Sequence, residues 1–264
     1  MKKQSLVLGM CLLCLTIRGQ AGDYLGDLTW PEAAQALPDS VVVIPFAAGA
    51  KQHGHHLPMN TDQRVMQYLL QAAVAVDDPI LIAPPILHGW FPGFRQYPGT
   101  EVTEPTVFID YVQGVAESLI NHGARRVVLL NLGISRATGL PLAVVARQLR
   151  AEHDVHTLVV SWDDLETEAI GHVYEQARGG HADEGETSIM LYLEADAVRQ
   201  DQLSKDLRQA PVEQIGYAPG QFERSREAGL YGDATLATAE KGEQILAHMR
   251  NNWLQALRTF MGRN

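Results

Sequence analysis

Two short stretches of this chain concentrate side chains that can bind a metal or move a proton. The first reads Gly49-Ala50-Lys51-Gln52-His53-Gly54-His55-His56-Leu57-Pro58-Met59-Asn60-Thr61-Asp62. Its three histidines and its aspartate offer imidazole nitrogen and carboxylate oxygen, the ligand set of zinc and related divalent ions. A plain structural reading also exists, in which Asp62 caps a helix and the histidines are polar loop residues. The second stretch reads Gly179-Gly180-His181-Ala182-Asp183-Glu184-Gly185-Glu186-Thr187-Ser188. Glycines that let the backbone approach closely precede a histidine and three carboxylates at the opening of a helix. Acidic residues in a first turn also suit the helix dipole, so this pattern alone does not separate a site from a cap. Trp162 follows a predicted strand and can serve a pocket or the core.

The elements that must carry these residues alternate. Ser40 to Phe46 is a continuous β-branched run and reads as a buried strand. Asp62 to Val76 is helical, with Val65, Met66, Leu69, Leu70 and Ala73 on one face. Ile80 to Ala83 reads as a short strand stopped by Pro84-Pro85. Pro105 to His122 reads as a helix capped by Thr103 and ended by Gly123. Strands follow at Arg126 to Leu130 and Val155 to Ser161, with helices at Leu140 to Arg150, Glu184 to Leu193 and Ala239 to Phe260. Gly220 to Gly232 reads as a surface excursion before the last helix. This order predicts an α/β fold, a mostly parallel β-sheet with helices on both faces in a single domain. In such sheets the site forms beyond the carboxyl ends of the strands, which directs attention to Gly49 to Asp62, Gly133 to Gly139 and Trp162 onward.

The opening of the chain has the pattern of a secretory signal. Lys2 and Lys3 precede an apolar run from Ser5 to Ile17, and Gly19-Gln20-Ala21 offers small residues for cleavage. The run is short for a membrane anchor, and Met10 before Cys11 does not suit lipoprotein processing. Residues 1–21 are therefore expected to be a signal peptide and 22–264 the exported domain, periplasmic or secreted. Cys11 and Cys14 both lie in the signal, so the remainder holds no disulfide and no cysteine nucleophile. The signal's charges are Lys2, Lys3 and Arg18, which leaves 18 basic against 31 acidic residues. That balance argues against nucleic acid or an anionic membrane surface as partner. No Gly-x-Gly-x-x-Gly or Walker-type loop follows any strand, which disfavours nucleotide binding.

Taken together, the motifs resemble the creatininase family of metal-dependent amidohydrolases. Lys51-Gln52-His53-Gly54, Leu57-Pro58 and Thr61-Asp62 follow that family's first-strand pattern in all but its leading Glu. Pro98-Gly99-Thr100, the run from His181 to Ser188, and Gly232-Asp233, Ala237-Thr238 and Glu240-Lys241-Gly242 match further motifs in the same order. The resemblance runs from about Ser40 to Arg258. Three departures stand out. The family's metal-binding Glu is Lys51, its metal-binding His after the third strand is Gly133, and its His before Pro-Gly-Thr is replaced in the region of Phe94 to Tyr97.

The resemblance implies an amidohydrolase acting on a small cyclic amide or another carbon–nitrogen bond. It also implies a homo-oligomer, a hexamer in many members. Because the first metal's private ligands are missing, a single divalent ion (zinc or manganese) is expected on His53, Asp62 and Glu186. Lys51 and Arg136 are expected to replace the first ion's charge and to hold an oxyanion or an acidic substrate. His181 corresponds to the family's proton-carrying histidine, Glu184 is counted with it among the catalytic residues and is the reserve for Glu186 as third ligand, and Trp162 corresponds to an aromatic pocket residue. The other reading is a non-catalytic binding protein in which Lys51 pairs with Asp62 and no ion binds.

Overall fold

The computed structural model describes residues 22–133, 136–207 and 228–263, the side chains at 136 and 137 excepted. The expected signal peptide, most of the surface excursion and the Arg136 side chain lie outside the described residues. Five strands form one parallel sheet: β1 (Asp23–Tyr24), β2 (Val41–Phe46), β3 (Ile80–Ile82), β4 (Arg126–Asn131) and β5 (His156–Ser161). Their order across the sheet is β1-β3-β2-β4-β5. β2 is central and runs in register with β4 from Val41 opposite Arg126 to Phe46 opposite Asn131. Every residue of β2 is buried, because helices cover both faces of the sheet.

Alternation along the strands divides the core in two. Val42, Ile44 and Phe46 join Val127 and Leu129 on one face, under α3 (Pro105–Asn121) and α4 (Arg136–Glu152). Val41 and Val43 join Val128 and Leu130 on the other, under α2 (Thr61–Val74), α6 (Glu184–Glu194) and α7 (Ala239–Phe260). The period of two forces this division, since neighbouring residues of a strand point to opposite faces. The predicted face of α2 is the buried one, with Val65 and Leu69 both at 0 % exposure. In α7 the buried stripe is Ile245, Met249, Trp253 and Leu257, spaced at the helical repeat. Each such side chain contributes about 1.5–3 kcal/mol on burial.

Some boundaries differ from the sequence reading. Glu104, not Thr103, is the N-cap of α3, and the backbone N–H of Thr103 donates to Gly89 instead. α4 starts at Arg136, about a turn earlier than Leu140, so Pro141 lies inside it. Three elements had no strong periodic signal: β1, the seven-residue α1 (Trp30–Ala36), and α5 (Trp162–Leu165). α1 is nonetheless marked at its start, where Glu32 accepts the backbone N–H of Thr29 at 2.7 Å. A small antiparallel pair, β6 (Lys205–Asp206) with β7 (Gly232–Asp233), lies apart from the main sheet. Among the described residues, no helix is long and apolar enough to cross a membrane.

α6 and α7 cross closely at Gly242. A Cβ there would lie 2.0 Å from the carbonyl oxygen of Ser188, so only glycine permits this approach. The neighbouring Lys241 reaches across the crossing to Glu175 Oε1 at 2.6 Å and to Glu184. The Glu240-Lys241-Gly242 motif thus fastens α7 to the start of α6, which carries the second chemical stretch.

Candidate active site

A cleft of about 1040 Å³ opens beyond the carboxyl ends of β4 and β5. Its lining includes Lys51, Phe94, Trp162, Glu166, His181 and Glu186. The volume suits a small molecule or a short segment of a larger one.

The loop after β2 supplies the floor. Lys51 is 2 % exposed and its ammonium lies 2.8 Å from Asp62 Oδ2. It also donates to the carbonyl of Gly133, in the turn after β4. Asp62 is 0 % exposed, in the first turn of α2, and its Oδ1 lies 2.8 Å from His53 Nε2. Burial alone would raise the Asp62 carboxyl, but Lys51 and His53 outweigh it and hold the group below its usual value. His53 Nδ1 faces the carbonyl of Lys51 at 2.8 Å. Both ring nitrogens of His53 therefore face acceptors. An imidazolium satisfies both by donating twice, whereas a neutral ring donates once, through Nδ1 to the Lys51 carbonyl, and keeps the Nε2 lone pair for a metal.

The second stretch supplies one wall. The backbone N–H and C=O of His181 bond to Tyr231 at 3.2 and 2.7 Å, which fixes its position. Ala182 follows at φ +48°, a left-handed conformation unusual for a residue with a side chain. Asp183 caps α6 by accepting from Gly185 and Glu186. Gln52 holds the ring of His181: its Oε1 accepts from Gly54 at 2.9 Å, which leaves its amide nitrogen to meet His181 Nε2 at 3.0 Å. Burial, then the charges of His53 and Lys51, push His181 well below the usual histidine range, so the ring is neutral. Phe94 packs on it with ring centroids 4.6 Å apart, and the Lys51 ammonium stands 5.4 Å from the same Phe94 ring. Glu186 Oε2 lies 3.7 Å from His181 Nδ1. Burial raises the Glu186 carboxyl, while His53 and Lys51 act against the rise.

The geometry brings His53, His181 and Glu186 together. One ligand atom from each lies within 4.8 Å of the others.

The Creatinine amidohydrolase family model matches residues 26–257 of this chain. The chain belongs to the creatininase family. Creatinine amidohydrolase of Pseudomonas putida is 31 % identical over 240 residues, covering 84 % of this chain and 91 % of that protein. Mycofactocin precursor peptide peptidase of Mycolicibacterium smegmatis is 28 % identical over 235 residues, covering 86 % and 87 %. The solved structure "Creatininase Mn" superposes with a TM-score of 0.75 at 28 % identity, covering 89 % of this chain and 97 % of that one.

Within this creatininase-family cleft the expected site residues separate into groups. His53, His181 and Glu186 converge. Asp62 stays outside that group, its two oxygens engaged by Lys51 and His53. Glu184 lies elsewhere: it is 0 % exposed and accepts from the backbone N–H of Glu175 and of Gln176, and from Lys241. That position makes it an anchor for the 174–176 segment rather than part of the cleft surface. Trp162 lines the cleft at the start of α5.

Four residues of the site escaped the sequence reading: Phe94, Glu166 and Tyr174 in the cleft lining, and Gln52 against the His181 ring. Gln52 had a signal, since it belongs to the matched loop motif, and Thr100 of Pro98-Gly99-Thr100 accepts its backbone N–H at 3.1 Å. Phe94 had one too, since it opens the region where the family's His before Pro-Gly-Thr is replaced, while Glu166 and Tyr174 had none in residue type or spacing.

Proposed function

We propose that this protein is a hydrolase of carbon–nitrogen bonds in small molecules, built on a reduced centre that holds one divalent ion and uses Lys51 in place of the second. The observation that carries the reading is the pairing of Lys51 with Asp62 beside the converging His53, His181 and Glu186. A dication about 4 Å from an ammonium is repelled by about 8 kcal/mol at an effective dielectric near 20, so Lys51 and a first-site ion exclude one another. The three converging residues fit an ion: two imidazoles and a carboxylate with room for a fourth ligand form a donor set common to catalytic zinc sites. Asp62, expected among the ligands, gives way to His181 in this proposal. The carbonyl of Lys51 then fixes His53 through Nδ1 and leaves Nε2 for the ion.

A divalent ion bound there would supply Lewis acidity toward a substrate carbonyl and its attacking water. The chain's own groups do the rest. Lys51 has a third N–H beyond those given to Asp62 and Gly133, and it lines the cleft, so it can hold a developing oxyanion. Gln52 and Phe94 keep the His181 ring from turning. The relatives are named for creatinine and for a precursor peptide, so the substrate class stays at the level of the bond.

A second reading is a binding protein without an ion. It is favoured by the closed network Lys51–Asp62–His53, which an imidazolium completes with no metal. Elemental analysis of chelator-free protein, dialysed against zinc and manganese, separates the two. The hydrolase reading expects one ion per chain, lost in His53→Ala and in Glu186→Gln. No ion at any supply would overturn it in favour of the binding protein.

Export and self-association belong to the same proposal. Export is supported by the pattern of residues 1–21 and is checked by N-terminal sequencing of the mature protein. Self-association is supported by exposed apolar side chains on two helices that pack together, Val107 and Tyr111 on α3 and Leu140 and Val144 on α4. Light scattering gives the subunit count.

A further inference from the structure

The far wall of the cleft carries a carboxylate that neither the ion site nor the family motifs use. Glu166 is the C-cap of α5, four residues after Trp162, so the two side chains share one side of that turn. The Trp162 indole N–H donates to one oxygen of Glu166, and the Tyr174 hydroxyl donates to the other. Among the described residues no lysine, arginine or histidine pairs with it. The charged groups that act on it most are Asp183 and Glu186, both acids. All five residues line the cleft. A partly buried carboxylate next to other carboxylates is unfavourable unless it takes up a proton or a cation reaches it. Burial first, and those acids after it, push its carboxyl up to about 7 although two donors oppose the rise.

The donors are neutral and aromatic. Each oxygen keeps a further lone-pair site after accepting one of them. Those two donors fix the carboxylate in place without neutralising it, so its full charge stays available to a charge-assisted hydrogen bond from a cationic group. Asp163 and Glu168 add two more carboxylates to the cleft lining, so that with Glu166, Asp183 and Glu186 its acids outnumber its cations, Lys51 and Arg178. We propose that Glu166, held between Trp162 and Tyr174, is the carboxylate with which the cleft takes a cationic nitrogen group of its substrate, an ammonium or an amidinium. This rests on reading the cleft as a substrate site and narrows its substrate class: the bond to be cut belongs to a molecule that carries a positive charge away from the ion site.

The experiment compares benzamidinium with its neutral isostere benzamide, titrated calorimetrically into the full chain at mildly alkaline pH, with chelator and again after zinc loading. Benzamidinium is expected to bind about tenfold more tightly, and Glu166→Gln is expected to remove the difference while the ion count stays as in wild type. Equal binding of the two probes, or no binding of benzamidinium, overturns the proposal. A preference that survives Glu166→Gln also overturns it, since another carboxylate would then be responsible. Should that variant not fold, the Trp162 indole N–H resonance of the wild type decides the location. Benzamidinium must shift it and benzamide must not. A cation preference in protein that takes up no metal would sustain this pocket and defeat the one-ion hydrolase, and the reverse result would do the opposite.

Discussion

The ammonium of Lys51 lies 2.8 Å from a carboxylate oxygen of Asp62, and neither side chain is more than 3 % exposed. Two charges removed from water this completely hold together only as a pair, and removal of one leaves the other uncompensated. Lys51→Met is expected to lower stability by about 3–5 kcal/mol. Urea unfolding of wild type and variant measures this. Added zinc should restore part of the loss, because an ion can then take the vacated charge position. A change below about 0.5 kcal/mol would show that Asp62 does not depend on Lys51.

Gly133 closes the same arrangement from the other side. Its φ is +70°, and a Cβ there would lie 2.1 Å from the Asp62 carboxylate. Gly133→Ala is expected to destabilise by about 1–3 kcal/mol, through the left-handed backbone and the overlap together. Thermal unfolding measures the loss. The position carries a metal-binding histidine in the family pattern, and the overlap explains why a histidine and the Lys51–Asp62 pair do not occur together here. Gly133→His alone should lower stability without raising the ion count. Combined with Lys51→Glu, which frees Asp62 to move, it should raise that count.

Glu166 gives a pH signature. Its carboxyl titrates near 4.5 in an unperturbed setting and at about 7 in the fold. The folded state therefore holds this proton more tightly than the unfolded state. The resulting stabilisation is fully present below about 4.5 and is lost as pH rises through about 7. Asp183 and Glu186 are also raised by burial and act in the same direction, so the variant difference is the quantity to measure. Melting temperatures of wild type and Glu166→Gln should diverge across that window, with the variant flatter. Parallel curves would mean that Glu166 titrates alike in the folded and unfolded states.

Much of the architecture was legible in the residues because it rests on local periodicity. The β-branched run of β2 and the stripes of α2 and α7 each encode which side meets the core. The short elements β1 and α5 were not legible, since two to four residues span too little of any period. The family motifs were legible for a physical reason as well. Gly242 permits a helix crossing, Thr100 holds the backbone of Gln52, and Lys241 reaches a buried carboxylate, so each residue type answers one local demand.

The sequence by itself determined the α/β order of elements, the two loops that carry chemistry and the lysine at position 51, where the family pattern it resembles has Glu. Only the tertiary structure decided how the carboxylates divide their work. Glu184 and Glu186 stand two residues apart, about 200° around a helix, so they cannot face the same way. One meets Lys241 in the interior and the other meets His181 at the cleft. Which of them faces the cleft depends on where α7 packs, and residue types within the turn carry no record of that. The same holds for Glu166: its setting comes from Tyr174, eight residues away, and from Asp183 and Glu186 on α6 and its cap, groups that only folding brings to one wall.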